Sequence, residues 1–316
     1  MCVSTSALSL VLDALEQGTP ATRRSLAAAT GLGLSTVTRA VTACQSCGIL
    51  CTRSGIDPVS GRACSLFHPT DGFLIPVVSV SPSHGVIRVL DTDLTPVGTA
   101  VTEFFPASHP DDTSRMLAHR CRALLRGCFR QGEIGVAAPI LLMADGLCEH
   151  TLRRAMENAL GLPPLGVMSY GEAAARALGR ISRPFEGDSL LLVSVGEPWH
   201  ACLLLRDGEG KWKPSSLGKG LTTALTRTVR DSRGSMRRGV AVFLSELCRY
   251  LRPDGILLED FHMVMPEDGG VESLLPAWVK LTVYAGRDGL SLAEEGAALA
   301  GRRMLWDQIL REVGGI

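Results

Sequence analysis

The chain has 316 residues, 46% hydrophobic and 20% charged, with 32 basic and 32 acidic side chains that cancel to a formal net charge of zero. That composition excludes a disordered chain, leaves enough apolar material for a large core, and at this length suggests two or three domains. No apolar run is long enough to span a bilayer, and Met1-Cys-Val-Ser-Thr5 lacks the basic, then apolar, then small-residue order of a secretory leader, so a cytoplasmic chain with no membrane partner is expected.

Residues 22–50 carry the first pattern. Two short helical segments meet at Thr30-Gly31-Leu32-Gly33. In the second, Val37, Val41 and Cys44 fall at i, i+4 and i+7 with Ala40 beside them, an inward stripe that leaves Ser35, Thr36, Thr38 and Arg39 outside. Gly31 suits the tight turn, and Thr22 can cap the first helix so that its free N–H groups point toward a phosphate. A helix-turn-helix has this pattern, its second helix lying in the major groove with N-terminal residues at base edges. There, hydroxyls bond bases or phosphates, and an Arg guanidinium forks onto guanine. Leu50–Arg53 then reads as a strand, Ser54–Arg62 as a Gly/Pro/Asp turn and Ala63–Phe67 as a return strand. That hairpin is the wing of a winged helix, with Arg53 and Arg62 flanking its tip, and it argues against an ordinary helical hairpin with a polar face. The expected DNA contacts are Arg23, Ser35, Thr36, Thr38, Arg39, Arg53 and Arg62, with Arg23 and Arg62 on the backbone and Arg39 on a base edge.

Local charge matters more than the total for such a protein. Residues 1–70 hold five Arg against three acidic residues, an excess small enough that one copy has modest affinity and a pair is expected. Arg outnumbers Lys 28 to 4. The ten cysteines of a cytosolic chain are expected to stay reduced. Cys44, Cys47, Cys51, Cys64 and His68 cluster in sequence, which admits a metal or redox site. Cys44 lies on the inward stripe and the spacing of Cys44 and Cys47 is helical, which favours packing, and no metal is expected.

Beyond a boundary at Thr70–Gly72 come strands Ile75–Ser81, Val86–Asp91 and Val97–Phe105, helix Asp112–Cys128, strand Ile134–Pro139, helix Leu152–Leu160, strand Leu165–Met168 and the Ala-rich helix Glu172–Leu178. A second set has strands Ser189–Val195 and His200–Arg206, helices Leu221–Arg230 and Val240–Leu251, strands Gly255–Glu259 and Trp278–Tyr284, and a terminal helix Leu292–Arg311. Two αβ halves, each opening on strand hairpins, suggest a duplicated actin-like ATPase (ribonuclease H-like) body. The expected division is 1–70 for DNA binding and 71–316 for the body, with halves near 71–180 and 181–316. Asp91 and Asp93 sit where turn chemistry alone explains them, and Gly218-Lys219-Gly220 lacks the spacing of a phosphate loop.

The order of elements, with Gly31-Leu-Gly-Leu-Ser-Thr-Val-Thr-Arg39, Cys47-Gly-Ile-Leu50 and Gly61-Arg62, resembles the ROK family of repressors, open reading frames and sugar kinases. The resemblance covers nearly the whole chain and is most specific over residues 22–67. It implies a sequence-specific regulator with a kinase-like body. The departures bear on activity. The kinases of the family carry a D-x-G-G-T phosphate loop where, aligned on Arg88, this chain has Ser81-Pro82-Ser83-His84-Gly85. Their second loop, G-T-G-I-G-A-G, corresponds to Gly196-Glu197-Pro198-Trp199-His200-Ala201-Cys202, in which Pro198 removes a donor and Glu197 brings negative charge to the place of a phosphate. Their N-D-A-N-A-A-A corresponds to Ser169-Tyr170-Gly171-Glu172-Ala173-Ala174-Ala175, which puts a phenol where the catalytic Asp belongs. The family's zinc module, a His followed by a C-x-C-G-x-x-G-C run, has no counterpart: between Leu217 and Leu251 there is no His, and the only Cys is Cys248.

The expected function is therefore a transcriptional regulator, a repressor in sign, bound to a palindromic double-stranded operator as a homodimer or dimer of dimers. Its body has no catalytic residues and needs no cofactor. His84, Glu172, Trp199 and His200 are the candidate cleft for a small-molecule effector, an aromatic platform beside two imidazoles. The plainer reading packs Trp199 in a strand and leaves both histidines as partly exposed loop residues. The terminal helix, with Leu292, Leu299, Met304, Leu305 and Ile309, offers apolar surface for pairing two copies or for packing internally. The competing functions are a divergent ATP-dependent sugar kinase and a protein-binding module with no small ligand.

Overall fold

The structure is a computed structural model and describes residues 4–16, 21–57, 61–81, 84–104, 110–129, 135–143, 148–179, 185–195, 200–215, 217–231, 236–260, 275–284 and 289–314. The chain opens with three helices, α1 (Thr5–Glu16), α2 (Arg23–Thr30) and α3 (Leu34–Ser46), followed by the antiparallel pair β1 (Leu50–Ile56) and β2 (Ala63–Pro69). α1 adds to the expected elements: Ala7, Leu8, Val11, Leu12 and Leu15 recur at helical spacing and all are buried. Val37, Ala40, Val41 and Cys44 form the buried stripe of α3, as their spacing predicts. Thr22 caps α2 in a reciprocal box with Ser25, each side chain taking the other's backbone N–H at 3.0 and 2.8 Å. Gly31 closes α2 at φ +69, a left-handed conformation that costs glycine little.

The hairpin strands run longer than predicted, to Ile56 and Pro69, so Arg53 lies inside β1 opposite Leu66 instead of at the tip. Arg62 keeps its place in the turn.

The rest of the chain builds two sheets. In the first, β3 (Phe73–Val80), β4 (His84–Leu90) and β5 (Val101–Phe104) form an antiparallel meander, and β7 (Ile140–Met143) and β8 (Gly166–Ser169) add in parallel on the other side of β3. The second repeats this with β9 (Ser189–Val195), β10 (His200–Arg206) and β11 (Trp212–Pro214), then β12 (Gly255–Asp260) and β13 (Lys280–Tyr284). The strand orders, β5-β4-β3-β7-β8 and β11-β10-β9-β12-β13, are the same topology twice. β11 is absent from the predicted set. The predicted strand Ile134–Pro139 is broken: β6 (Gly135–Val136) pairs with β3, and the ladder resumes at β7, past Pro139, which has no N–H to give. Asp91 takes the turn role expected of it, accepting the N–H groups of Asp93 and Thr95 at 2.9 and 2.8 Å.

Five layers result. α4 (Pro110–Phe129) and α5 (Glu149–Leu160) cover the outer face of the first sheet, and α7 (Gly218–Asp231) and α8 (Met236–Leu251) that of the second. α6 (Tyr170–Leu178) and α9 (Leu292–Gly314) lie between the sheets. Side chains alternate accordingly: Leu191, Val193 and Val195 of β9 face α7 and α8, while Leu190 and Leu192 face the central layer. Gly218-Lys219-Gly220 opens α7.

From Leu292 to Arg302 α9 is buried on every side and packs within the chain. Leu292 and Leu299 belong to the central core, Leu305 is buried, Met304 and Ile309 pack against core residues, and Trp306 and Leu310 join the core of α1–α3. The apolar side chains considered for pairing two copies are thus covered from inside. Gly296 is where α9 crosses α6: a Cβ there would overlap the carbonyl of Ala173. Gly296→Ala is therefore expected to destabilise the fold by about 1–3 kcal/mol or more in chemical denaturation, since a backbone must shift. Gly220→Ala, in a helix with open space around the added methyl, is the control and should be neutral or raise stability by up to about 1 kcal/mol.

Candidate functional site

Two regions concentrate chemistry. The first is the outward face of α3. Ser35 and Arg39 are exposed, Thr36 and Thr38 half-buried beside the inward stripe, and Arg39 has no ion pair or hydrogen bond from its side chain among the described residues. The other basic candidates differ. Arg23 lays its guanidinium on the ring of Phe67, 4.9 Å from the centroid, and so fastens α2 to β2. Arg53 grips Asp71 with both carboxylate oxygens at 2.6 and 2.8 Å. Arg62, at the hairpin turn, is exposed.

The second region lies between the two sheets, at the N-terminal ends of α6 and α9. Tyr170 opens α6 and is buried, its ring 5.2 Å from that of His200. His200 is the first residue of β10 and only 7% exposed, a buried strand residue where a partly exposed loop residue was the plainer expectation. Its Nδ1 lies 3.4 Å from Thr222 Oγ1, which donates to the carbonyl of Ala201 at 3.1 Å and accepts that residue's N–H at 3.2 Å. With the hydroxyl proton committed to Ala201, Nδ1 is the donor and Nε2 a bare acceptor. Among the described residues Nε2 has no partner, while Tyr170 Oη and Ser79 Oγ are buried beside one another. Burial lowers the His200 pKa to about 4, so the ring is neutral at physiological pH. Burial, then Glu294, pushes the Tyr170 phenol well above its ordinary range, so it cannot act as a base.

Three carboxylates gather at the start of α9. Ser291 caps the helix in a reciprocal box with Glu294, and Glu259, at the end of β12, accepts the N–H of Leu292. Arg88 donates from Nε to Glu294 at 2.8 Å, and Tyr284 from its hydroxyl to Glu295 at 3.1 Å. A helix N-terminus favours such charge, yet burial raises the Glu259 pKa to about 7 against the bond from Leu292, with Glu294 adding to the rise.

Of the predicted cleft residues, the fold brings His200 into this cluster. Glu172 closes the capping box of α6, bonded to the backbone N–H and hydroxyl of Ser169 at 2.9 Å each. The His84 backbone begins β4 opposite Phe104, while its side chain and all of Gly196–Trp199 lie outside the described residues. Ser79, Glu259, Glu294 and Glu295 were missed. Their signal was present as acidic residues in apolar company, Gly255-Ile-Leu-Leu-Glu259 and Leu292-Ala-Glu294-Glu295-Gly-Ala-Ala. Among the described residues no group of His, Cys, Asp or Glu side chains is placed to hold a metal. Cys44 is buried, and its thiol is pushed up to about 12 by burial, then by Cys47.

No protein-family model and no curated protein matches the chain. Solved structures do. A ROK family transcriptional regulator, a homolog of the E. coli Mlc protein, has a TM-score of 0.60 at 14% identity, covering 96% of this chain and 97% of its own. An inorganic polyphosphate/ATP-glucomannokinase from Arthrobacter sp. strain KM has a TM-score of 0.51 at 13% identity, covering 72% of this chain and 98% of its own. At such identities the likeness is one of fold, and it carries the α/β, actin-like architecture. No helix among the described residues is long and apolar enough to cross a membrane.

The His200 and Glu259 values act in opposite directions. The lowered His200 value makes the folded state poorer in protons than the unfolded one between about pH 4 and 6.5, so its contribution is lost as pH falls through that window. The raised Glu259 value makes the folded state richer in protons between about pH 4.5 and 7, so its contribution is lost as pH rises. Denaturation of the wild type and of Glu259→Gln across that range should show the wild type losing about 3 kcal/mol relative to the variant between pH 4.5 and 7. His200→Gln should remove an opposite slope of similar size, and parallel curves for all three proteins would contradict both assignments.

Proposed function

We propose that this protein is a sequence-specific DNA-binding transcriptional regulator of the ROK family, a repressor, whose kinase-like body does no catalysis. In this reading residues 1–70 are a winged helix-turn-helix: α3 enters the major groove and the β1–β2 hairpin is the wing. Residues 71–316 form the actin-like body, with halves near 71–180 and 181–316. The observation that carries the reading is the outer face of α3, where an unpaired Arg39 and hydroxyls stand on a helix whose other face is fully buried. Comparison supports it: the regulator spans about a quarter more of this chain than the kinase does, the size of the N-terminal unit.

Each DNA candidate then has a role set by its surroundings. Arg39 reads a base edge, with Ser35, Thr36 and Thr38 as neighbours. Arg62 reaches a phosphate or the minor groove from the turn. Arg23 stays stacked on Phe67 and contributes field near the N-terminus of α2, and Arg53 contributes little while Asp71 neutralises it. One such unit supplies few phosphate contacts, so two copies on a palindrome, as a homodimer or dimer of dimers, provide the affinity. A small-molecule effector would act at the polar cluster of Ser79, Tyr170 and His200, and α9 would carry its effect to α1. The buried phenol of Tyr170, at the place of the kinases' catalytic Asp, supports an inactive body.

The test combines binding with turnover. Arg39→Ala should cost about 1–3 kcal/mol at the specific operator and relax preference at one base pair. Arg62→Ala should weaken all sequences alike and lower the salt slope by about 1. Operator affinity unchanged in an Arg39→Ala, Ser35→Ala double variant would refute the placement of α3, and sugar-dependent turnover of Mg-ATP would restore the kinase reading.

A further inference from the structure

A groove far from α3 and from the polar cluster has a chemistry of its own. It runs between α4 and α5 on the outer face of the first sheet and encloses about 540 Å³. Arg115, His119 and Arg122 line one wall at i, i+4 and i+7, and His150, Arg154 and Asn158 the other at i, i+4 and i+8. Its floor is made of small residues, Ala118, Ala155 and Ala159, so the two helices leave room between their side chains. No carboxylate lines it, and among the described residues none of the three guanidiniums is in an ion pair. Like charges at these spacings repel along both helices, and among the described residues no acidic partner accounts for their convergence on one concave volume.

We propose that this groove binds a phosphate-bearing small molecule. Guanidiniums recognise phosphate oxygens in pairs of parallel N–H bonds, the imidazoles and the Asn158 amide add donors, and the Ala floor accepts the uncharged part of the ligand. The volume is that of a small-molecule site. A nucleic acid is disfavoured: the cations line a concave volume of about 540 Å³, and the same two helices expose Asp112, Glu149 and Glu157, which repel an extended phosphate backbone.

The test is calorimetric titration of the full chain with inorganic phosphate and with glycerol 3-phosphate at fixed ionic strength, with glycerol as the uncharged control. Saturable binding of both anions and none of glycerol is expected, weakened at least tenfold in an Arg115→Gln, Arg154→Gln double variant. Those positions are exposed and Gln keeps helix propensity, so an unchanged melting profile accompanies the loss. Arg153→Gln, on the same helix but paired with Glu149, should leave binding intact. Absence of saturable binding, equal binding by the double variant, or equal loss in Arg153→Gln would overturn the proposal. So would a double variant that instead weakens duplex DNA of every sequence with a shallower salt dependence, because the groove would then serve the nucleic acid.

Discussion

The rest of the structure depends on the burial of α9 from Leu292 to Arg302, and of Leu305, Trp306 and Leu310 beyond it, while Gln308, Arg311 and Glu312 stay at the surface. Its N-terminus meets the second sheet through Glu259 and Tyr284, its middle packs on α6 and the first sheet, and its last turns enter the core of α1–α3. Over the buried stretch the helix has no solvent face, so Glu294, Glu295 and Arg302 must be met inside. Arg302, 2% exposed, donates to the carbonyls of Thr92 and Glu16 at 2.7 and 3.4 Å and stacks on Trp306. Arg303 binds Asp13 at 2.7 Å and the hydroxyl of Ser9 at 2.7 Å. Asp13 is largely exposed, so its pair with Arg303 adds little; Arg302 is the buried tie, and truncating it would leave the carbonyl of Thr92 without that donor.

That arrangement ties the polar cluster to the N-terminal helices through one element. The polar cluster at one end of α9 holds three buried carboxylates and a neutral imidazole, a set whose protonation and partners any bound molecule would alter. The other end is bonded to α1, which packs directly on α3. A rigid helix seated in both places can transmit a displacement, because close-packed interiors shift between discrete arrangements instead of deforming smoothly.

How much of this was legible in the sequence follows from where the signal is local. The inward stripe of α3, the cap at Thr22 and the left-handed turn at Gly31 depend on residues within a few positions of one another, and they stand as read. So do β9 and β10, whose apolar runs end at clear breaks. The polar cluster was not legible, because Ser79, Tyr170, His200 and Glu259 are brought together only by the stacking of two sheets around α6 and α9. Arg53 looked like a wing-tip contact because the hairpin was drawn too short, and its pairing with Asp71 spans 18 positions. α9 was ambiguous for a physical reason: its apolar residues are not confined to one stripe, and such a helix serves equally as core or as interface until its neighbours are known.

The central claim, that α9 is the seat of the N-terminal unit, is tested most directly by hydrogen exchange on Trp306→Ala. The side chain is buried in the α1–α3 core, so its truncation should raise exchange in Thr5–Glu16 and in the last turns of α9 while β3 and β9 keep their protection. Unchanged protection of α1 in a folded variant would contradict the account.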